Sequence, residues 1–368
     1  MWPYWLLLTL PALASLVEAV RWRPRFYLLK SKSFFLDSPC AKVFGLFLVL
    51  MIGWRDQVGG DWANYLNIIE LASNQTWIQS ALATNEPAYG LLNWLGGLVG
   101  GIYFVNLVCA LVFTWGLLVF AGNSPHPWLA ITVAVPYLVV VVAMGYTRQG
   151  AAIGFVMAGL VLLDKGRPLG FGLLLFVAAL FHKSAVVLFP LAIFSGGKSF
   201  RGLVGVGLTA IISFSLLLAD YVEHFVVNYI GDQYASSGAE IRIAMNAIPG
   251  VIFIILRNRF ELLPAQRSFW AWMSYGSLVF IGLLEVSPSS TAVDRLALYF
   301  IPLQIFVWSR LPGAISSSTG ARLEWVAIVL FYSYAVQFVW LTYADHRAYW
   351  LPYRFYPVEW LFSLFSAH

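Results

Sequence analysis

Long apolar runs alternate with short polar breaks along nearly the whole chain. Trp2–Val20 is the first run, and the basic residues follow it rather than precede it, the reverse of a signal peptide. It reads as an uncleaved helix whose N-terminus is outside. Arg21, Arg23, Arg25, Lys30, Lys32 and Lys42 then place the next loop in the cytoplasm, where short loops retain Lys and Arg. Ala41–Trp54 crosses outward. Arg55–Asn85 is a long polar stretch outside. Glu86–Val99, with Pro87, Asn93 and paired glycines, reads as a helix on or dipping into the outer face. If it crossed, the Asp164-Lys165-Gly166-Arg167 turn would fall outside.

Gly101–Ala121 runs inward, Trp128–Gly145 outward, Arg148–Leu163 inward, and Leu169–Phe181 outward to His182. Ala185–Phe194 is short for a span, which needs about 20 residues. A start deep in the outer leaflet would put His182 and Lys183 in a cavity. Lys198 and Arg201 mark an inside loop, and Leu203–Ala219 exits. Asp220–Ala244 is the second polar stretch, outside, with Asp220, Glu223, His224, Asp232, Tyr234, Glu240 and Arg242. Met245–Leu256 returns to Arg257, Arg259 and Arg267, and Phe269–Glu285 exits. After a turn at Ser287–Ser290, Asp294-Arg295 opens an inward helix with Tyr299 one turn on. Arg310–Arg322 is an inside loop, Trp325–Leu341 exits, and the tail Tyr343–His368 lies along the outer surface. The expectation is an all-α polytopic membrane protein, one bundle over 1–368 with about twelve transmembrane helices. Both termini lie outside, the main outer loops are 55–100 and 220–245, and amphipathic helices line the outer face. No internal repeat is visible, which argues against an inverted-repeat transporter.

Composition supports the membrane assignment. The chain is 60% hydrophobic and 11% charged, with mean hydropathy +0.78, whereas a soluble domain carries about 25% charged residues. The net charge of +5 is carried largely by loops that set orientation. No basic helix, zinc spacing or aromatic sheet motif points to nucleic acid. Cys40 lies in a basic loop and Cys109 in an apolar run, so neither a disulfide nor a metal site is expected. Trp and Tyr gather near segment ends, as in an interfacial belt.

Ionisable residues inside helices cost roughly 2.5–3.5 kcal/mol each on insertion scales, so they need a reason. Gly145-Tyr146-Thr147-Arg148-Gln149-Gly150 sets an arginine at a helix start, with Thr147 as the expected cap and Ala151, Ala152 and Gly154 allowing close approach. Free helix N–H groups beside a guanidinium favour an anion, phosphate above all. Arg295 is comparable, although the adjacent Asp294 can neutralise it. His182 can hold a phosphate oxygen or shuttle a proton, and Lys183 can contact the anion or snorkel. Asp61, Glu86, Asp232 and Glu240 are the outer carboxylates available as a base for an acceptor hydroxyl. Asp61 follows two glycines and precedes Trp62 and Tyr65, which suits a sugar. No carboxylate pair has the spacing of a glycoside hydrolase, and the first outer loop has no Asp-x-Asp.

Gly60-Asp61 with Tyr65, Glu86-Pro87 with Tyr89, Arg148-Gln149, His182-Lys183-Ser184-Ala185 and Asp294-Arg295 with Tyr299 occur in one order across most of the chain. In these motifs the chain resembles the EpsG family of bacterial polysaccharide polymerases, functionally akin to the Wzy O-antigen polymerases. The resemblance implies a GT-C-like membrane glycosyltransferase in the bacterial inner membrane, active at the periplasmic face. It would move a growing glycan from undecaprenyl diphosphate to the non-reducing end of another lipid-linked repeat. No cofactor, nucleotide sugar or metal is implied. The implied partners are the lipid-linked oligosaccharide, the bilayer and, in some systems, a chain-length regulator. Arg148 and Arg295 would clamp the diphosphate, and Asp61 or His182 would receive the acceptor proton. Gln149, Lys183, Arg242, Glu86, Tyr65 and Tyr299 would bind diphosphate or sugar. Competing readings are an O-antigen ligase, which usually has one very large outer loop, and a transferase using polyprenyl-monophosphate sugars, which needs acidic residues after the first helix. A lipid-linked oligosaccharide flippase needs polar groups through the midplane, and a membrane O-acyltransferase would lean on a cytoplasmic acyl donor.

Overall fold

The computed structural model describes residues 1–21, 34–83, 86–194, 237–316 and 318–366. Its helices in chain order are α1 (Trp2–Arg21), α2 (Phe34–Asp37), α3 (Pro39–Gly53), α4 (Trp62–Ser73), α5 (Trp77–Ala83), α6 (Pro87–Val99), α7 (Gly101–Gly122), α8 (Pro127–Ala134), α9 (Thr147–Asp164) and α10 (Pro168–Phe181). They continue with α11 (Phe189–Phe194), α12 (Ala239–Leu256), α13 (Pro264–Val286), α14 (Ser290–Ala297), α15 (Ile301–Ile315), α16 (Thr319–Tyr343) and α17 (Tyr356–Ser366). Proline stands in the first turn of α3, α6, α8, α10 and α13, where its missing N–H would be unpaired anyway.

Six helical stretches are long and apolar enough to cross a membrane: Trp2–Val20, Gly101–Gly122, Ala239–Leu256, Pro264–Val286, Ser290–Ile315 and Thr319–Tyr343. Pro39–Gly53, Pro127–Ala143 and Pro168–Phe181 are shorter apolar helices. The protein is an all-α polytopic membrane protein. Of the expected crossings, Leu203–Ala219 lies outside the described residues, as do Lys198, Arg201, Asp220, Glu223, His224, Asp232 and Tyr234. Ala185–Phe194 forms a 3-10 helix over Lys183–Leu188 followed by the six residues of α11.

The centre of the bundle is α8 and its continuation, a π-helix over Val135–Ala143. Pro136 has no N–H to give the preceding turn, and the wider spiral accommodates it. Every residue from Val135 to Met144 is buried. A helix apolar all round belongs in an interior. The remaining helices alternate about it. At one end lie the end of α3, the start of α9, the end of α10, the starts of α12 and α14 and the end of α16. This is the Arg148 end. At the other, Arg310 donates to Asn123 O (2.8 Å) and Ser124 Oγ (3.1 Å), and Glu18 accepts from the Trp128 N–H (3.1 Å).

Over the Arg148 end, α4 to α6 form a small layer. Tyr65, Ile69, Tyr89 and Leu92 pack there with Ile102, Val105, Cys109 and Ala151. The exposed side of α6 carries Leu91, Leu95, Leu98 and Val99. At 13 residues α6 is short for a crossing, in line with the expected surface helix.

Three expectations need correction. The second polar stretch ends at Gly238 rather than Ala244: α12 begins at Ala239, so Glu240 and Arg242 are helical. Pairing of Arg242 with Asp294 (2.8 Å) lets the helix carry that charge inward. Arg310 and Arg322 belong to α15 and α16, and Arg322 is buried. The tail is not confined to the surface. Its segment 344–355 straps the Arg148 end, and Trp350 inserts to 1% exposure, donating its indole N–H to Val140 O (2.7 Å). The Asp56 N–H donates to Arg354 O (3.0 Å), the Tyr356 N–H to Trp54 O (2.8 Å) and Tyr353 Oη to Met51 O (2.7 Å). Beyond the strap, α17 does stay exposed, with Trp360, Phe362 and Phe365 in the open.

The strap, the 55–60 loop and the approach to α9 meet at two glycines. Gly59 has φ +110°, and a Cβ there would sit 2.5 Å from Met144 O. A Cβ on Gly145 would run into the Trp350 ring. A Cβ on neighbouring Gly60 would meet nothing within 4 Å. Gly59→Ala should therefore cost about 2 kcal/mol or more, from left-handed strain plus a backbone clash. Gly60→Ala should be near neutral. Thermal unfolding of the detergent-purified chain checks this, and equal midpoints for the two variants would contradict the packing described.

Candidate functional site: two arginine centres at one end of the bundle

The start of α9 organises this end. Tyr146 precedes the helix and Thr147 is its first residue, one earlier than the sequence suggests. Thr147 is not the cap. Its hydroxyl accepts from Arg55 Nη2 (2.6 Å) and donates to Asn106 Oδ1 (3.3 Å). The reason is Arg55, which is fully buried. Its Nε donates to Val58 O (3.1 Å), its Nη1 to Ile52 O and its Nη2 also to Asn106 Oδ1 (3.3 Å). A guanidinium out of water must find acceptors, and Thr147 is one of them.

Arg148, the next residue, turns to α6. Its Nη1 donates to Glu86 Oε2 (2.7 Å), and the guanidinium lies over the Tyr89 ring (5.6 Å) and the Tyr65 ring (5.9 Å). Glu86 sits just before α6, its side chain 5% exposed, and its other oxygen Oε1 is 3.2 Å from His182 Nδ1. One carboxylate thus spans a guanidinium and an imidazole. The α10 helix ends at Phe181 and leaves His182 in extended backbone, which aims its ring back at Glu86. Tyr299 is buried in the 3-10 turn after α14 and donates to His182 O (3.5 Å). Lys183 is within electrostatic reach of both Glu86 and Arg148.

Gln149 points elsewhere. It donates to Arg295 O (2.7 Å), tying α9 to α14. The Arg295 guanidinium lies over the Tyr146 ring (5.6 Å). Asp294 does not neutralise its neighbour, because it accepts from Arg242 Nε (2.8 Å), while Arg242 Nη1 donates to Ser237 O (2.9 Å). Among the described residues no carboxylate lies within ion-pairing distance of Arg295.

The structure therefore gathers the sequence-derived residues into two centres. Arg148, Glu86, His182, Lys183, Tyr65 and Tyr299 form the first, on α4, α6, α9, α14's extension and the turn after α10. Arg295, Arg242 and Asp294 form the second, with Gln149 and Tyr146 at the border. Both arginines, Arg148 and Arg295, act electrostatically on His182, so the centres are neighbours. Asp61 lies between them, close enough for its charge to act on both Tyr65 and Tyr146. Among the described residues its carboxylate makes no hydrogen bond, and it does not join the Glu86–His182 pair. Glu240 is exposed in the first turn of α12. Among the described residues no three His, Cys, Asp or Glu side chains cluster as metal ligands.

Sequence reasoning missed Arg55 and Asn106 as supports. An arginine directly after an apolar run reads as a solvated helix end, and nothing local marks it as buried. Residues 40–355 match the family model described as the EpsG family. The chain belongs to the EpsG family. This EpsG-family span takes in both arginine centres and the strap, and it stops at Phe355, whose backbone bridges Arg55. Membership makes the protein a polysaccharide polymerase-type membrane protein, glycosyltransferase-like in its activity class. No curated protein and no solved structure matches the chain.

Replacing Arg55 by Met would leave Thr147, Asn106 and two carbonyls without their donor. Loss of one partner from such a buried set costs about 3 kcal/mol, so the thermal midpoint should drop by several degrees and expression should fall. Arg354→Ala, which removes only an exposed hydrogen bond to Gln57, should leave the midpoint within about a degree, in keeping with other surface changes. Comparable losses in the two variants would contradict the role given to Arg55.

Proposed function

We propose that this EpsG-family protein is a Wzy-like polymerase of the bacterial cytoplasmic membrane. It moves a growing glycan from undecaprenyl diphosphate onto the non-reducing end of a second lipid-linked repeat. The observation that carries the reading is the Arg148–Glu86–His182 centre, largely out of water and within the family-matched span. Charge supports one side of the membrane over the other. Lys42, Lys165, Arg167, Arg257, Arg259, Arg267 and Arg322 all belong to the opposite end, which the retention of Lys and Arg makes cytoplasmic. The Arg148 end then faces the periplasm.

The chemistry needs no activated nucleotide. The bond from the anomeric carbon to the diphosphate oxygen breaks, and the acceptor hydroxyl oxygen bonds to that carbon. The leaving diphosphate gains negative charge, which Arg148 and Lys183 stabilise as fixed cations in a poorly hydrated site. An incoming diphosphate competes with Glu86 for Arg148. Released from the guanidinium, Glu86 stays beside His182 and supports it as the acceptor proton transfers to the imidazole. The tyrosine rings at Arg148 keep the cation oriented when its carboxylate partner moves. Fixed cations take the part that a divalent metal plays in other transfers to or from diphosphates.

Purified full-length protein given only the lipid-diphosphate repeat, in the presence of EDTA, should yield a ladder of products. Arg148→Ala should lower polymer formation at least about 100-fold, the scale of losing a charge-stabilising donor, while the protein still accumulates in the membrane. An absolute need for nucleotide sugar or metal, or an unchanged ladder in the variant, would refute the reading.

A further inference from the structure

We propose that the second centre, Arg295 with Arg242 and Asp294, binds the diphosphate of the acceptor lipid, leaving the Arg148 centre to the donor. This rests on the polymerase reading and divides its binding site in two. Joining two lipid-linked glycans presents the protein with two diphosphates at once. One leaves from the donor anomeric carbon. The other remains on the acceptor's reducing end and takes no part in the bond change.

The side chains are arranged in the same number. Among the described residues each centre holds two cations and one carboxylate: Arg148 and Lys183 with Glu86, and Arg295 and Arg242 with Asp294. Each set therefore has a net positive charge of its own and can hold an anion. The centres also belong to different elements. Glu86 and His182 flank the first, from the ends of α6 and α10, whereas α12 and α14 supply the second. The N-terminus of α9 is the partition. Successive helical positions diverge by about 100°, and here Arg148 turns to Glu86 while Gln149 turns to Arg295 O (2.7 Å).

Among the described residues, an imidazole stands beside the arginine only in the first centre, His182 with Glu86. In the second, the carboxylate is engaged by Arg242 (2.8 Å), and the arginine rests on Tyr146. It can hold an anion with no imidazole beside its arginine among the described residues, which suits a diphosphate that stays bonded. An acceptor anchored there has its glycan extending toward the first centre, with its far end at the donor carbon. Asp61, within reach of Tyr65 in the first centre and Tyr146 at the second, lies along that path, and its carboxylate is available to sugar hydroxyls.

The test compares two labelled acceptors with the same glycan. One carries the lipid diphosphate and the other a neutral alkyl group. Donor is the lipid-diphosphate repeat, and wild type, Arg295→Gln and Arg148→Gln are assayed as full-length chains. Arg295→Gln should raise the KM for the diphosphate acceptor about 10- to 100-fold, the range for losing hydrogen bonds to a charged group. With the neutral acceptor its KM should shift far less, and a thermal midpoint equal to that of wild type shows separately that the variant is folded. Arg148→Gln should slow both acceptors alike. Equal impairment of both acceptors by Arg295→Gln, or impairment of neither, overturns the assignment. Failure of the wild type to extend either acceptor would instead refute the polymerase reading on which it rests.

Discussion

The Arg148 end is built on one buried guanidinium. Arg55 has no carboxylate within ion-pairing distance among the described residues, yet it is entirely out of water. Burying an ion costs several kcal/mol unless hydrogen bonds replace its hydration. Arg55 recovers them from Ile52 and Val58 carbonyls beside it, Asn106 on α7 and Thr147 on α9. Its own backbone bridges Phe355 in the strap. Three helices and the tail therefore have a common reference point. A shift of α9 along its axis would strip a donor from its acceptor, so the height of Arg148 is fixed by a residue that is itself sealed from solvent.

The partly exposed charges at this end are handled differently. Arg148 and Arg242 each keep a carboxylate at hydrogen-bond distance (2.7 and 2.8 Å), which offsets the cost of partial burial while no anion is bound. Such a pair is exchangeable in principle: on the proposed reading a diphosphate, with more charge and more oxygens than a carboxylate, would displace it without exposing the arginine. Arg295 is stabilised by an aromatic face instead. A cation on a ring keeps its orientation while its hydrogen-bonding edge stays open.

Much of this was legible in the sequence, and what was not has a common cause. The apolar periods gave the helices because a membrane span has to be both long and greasy, and Trp128–Gly145 differs from the observed Pro127–Ala143 by a residue or two. The motifs at Arg148, His182, Glu86 and Arg295 were visible because an ionisable group beside an apolar run is expensive. Their partners were not visible. Nothing in the spelling of Asp294-Arg295 says that the aspartate turns to Arg242, 52 positions away. Nothing in Gly145-Tyr146-Thr147 says that the threonine serves Arg55 rather than its own helix. Local readings assign side chains to local backbone, and buried charge overrides them because its satisfaction must come from wherever the fold brings an acceptor. Trp350 was missed for the same reason, since an aromatic in a polar tail reads as interfacial until a glycine such as Gly145 makes room for it.

Rigidity and chemistry meet at the first turn of α9. Trp350 presses on Gly145, Arg55 holds Thr147 and Gln149 is tied to α14, so the residues on both sides of Arg148 are fixed. Stabilising a departing diphosphate by fixed charge is effective only if the cations need not reorganise as the charge develops. A flexible Arg148 would lose in reorganisation what it gained in attraction. The strap explains how a chain with little polar surface achieves that fixity: the tail returns to close the end of the bundle, and the family-matched span ends with it at Phe355. The exposed helix α17 beyond that point contributes nothing to the constraint, whereas the eleven residues from Asp345 to Phe355 close over Gly59 and Gly145, beside the start of α9.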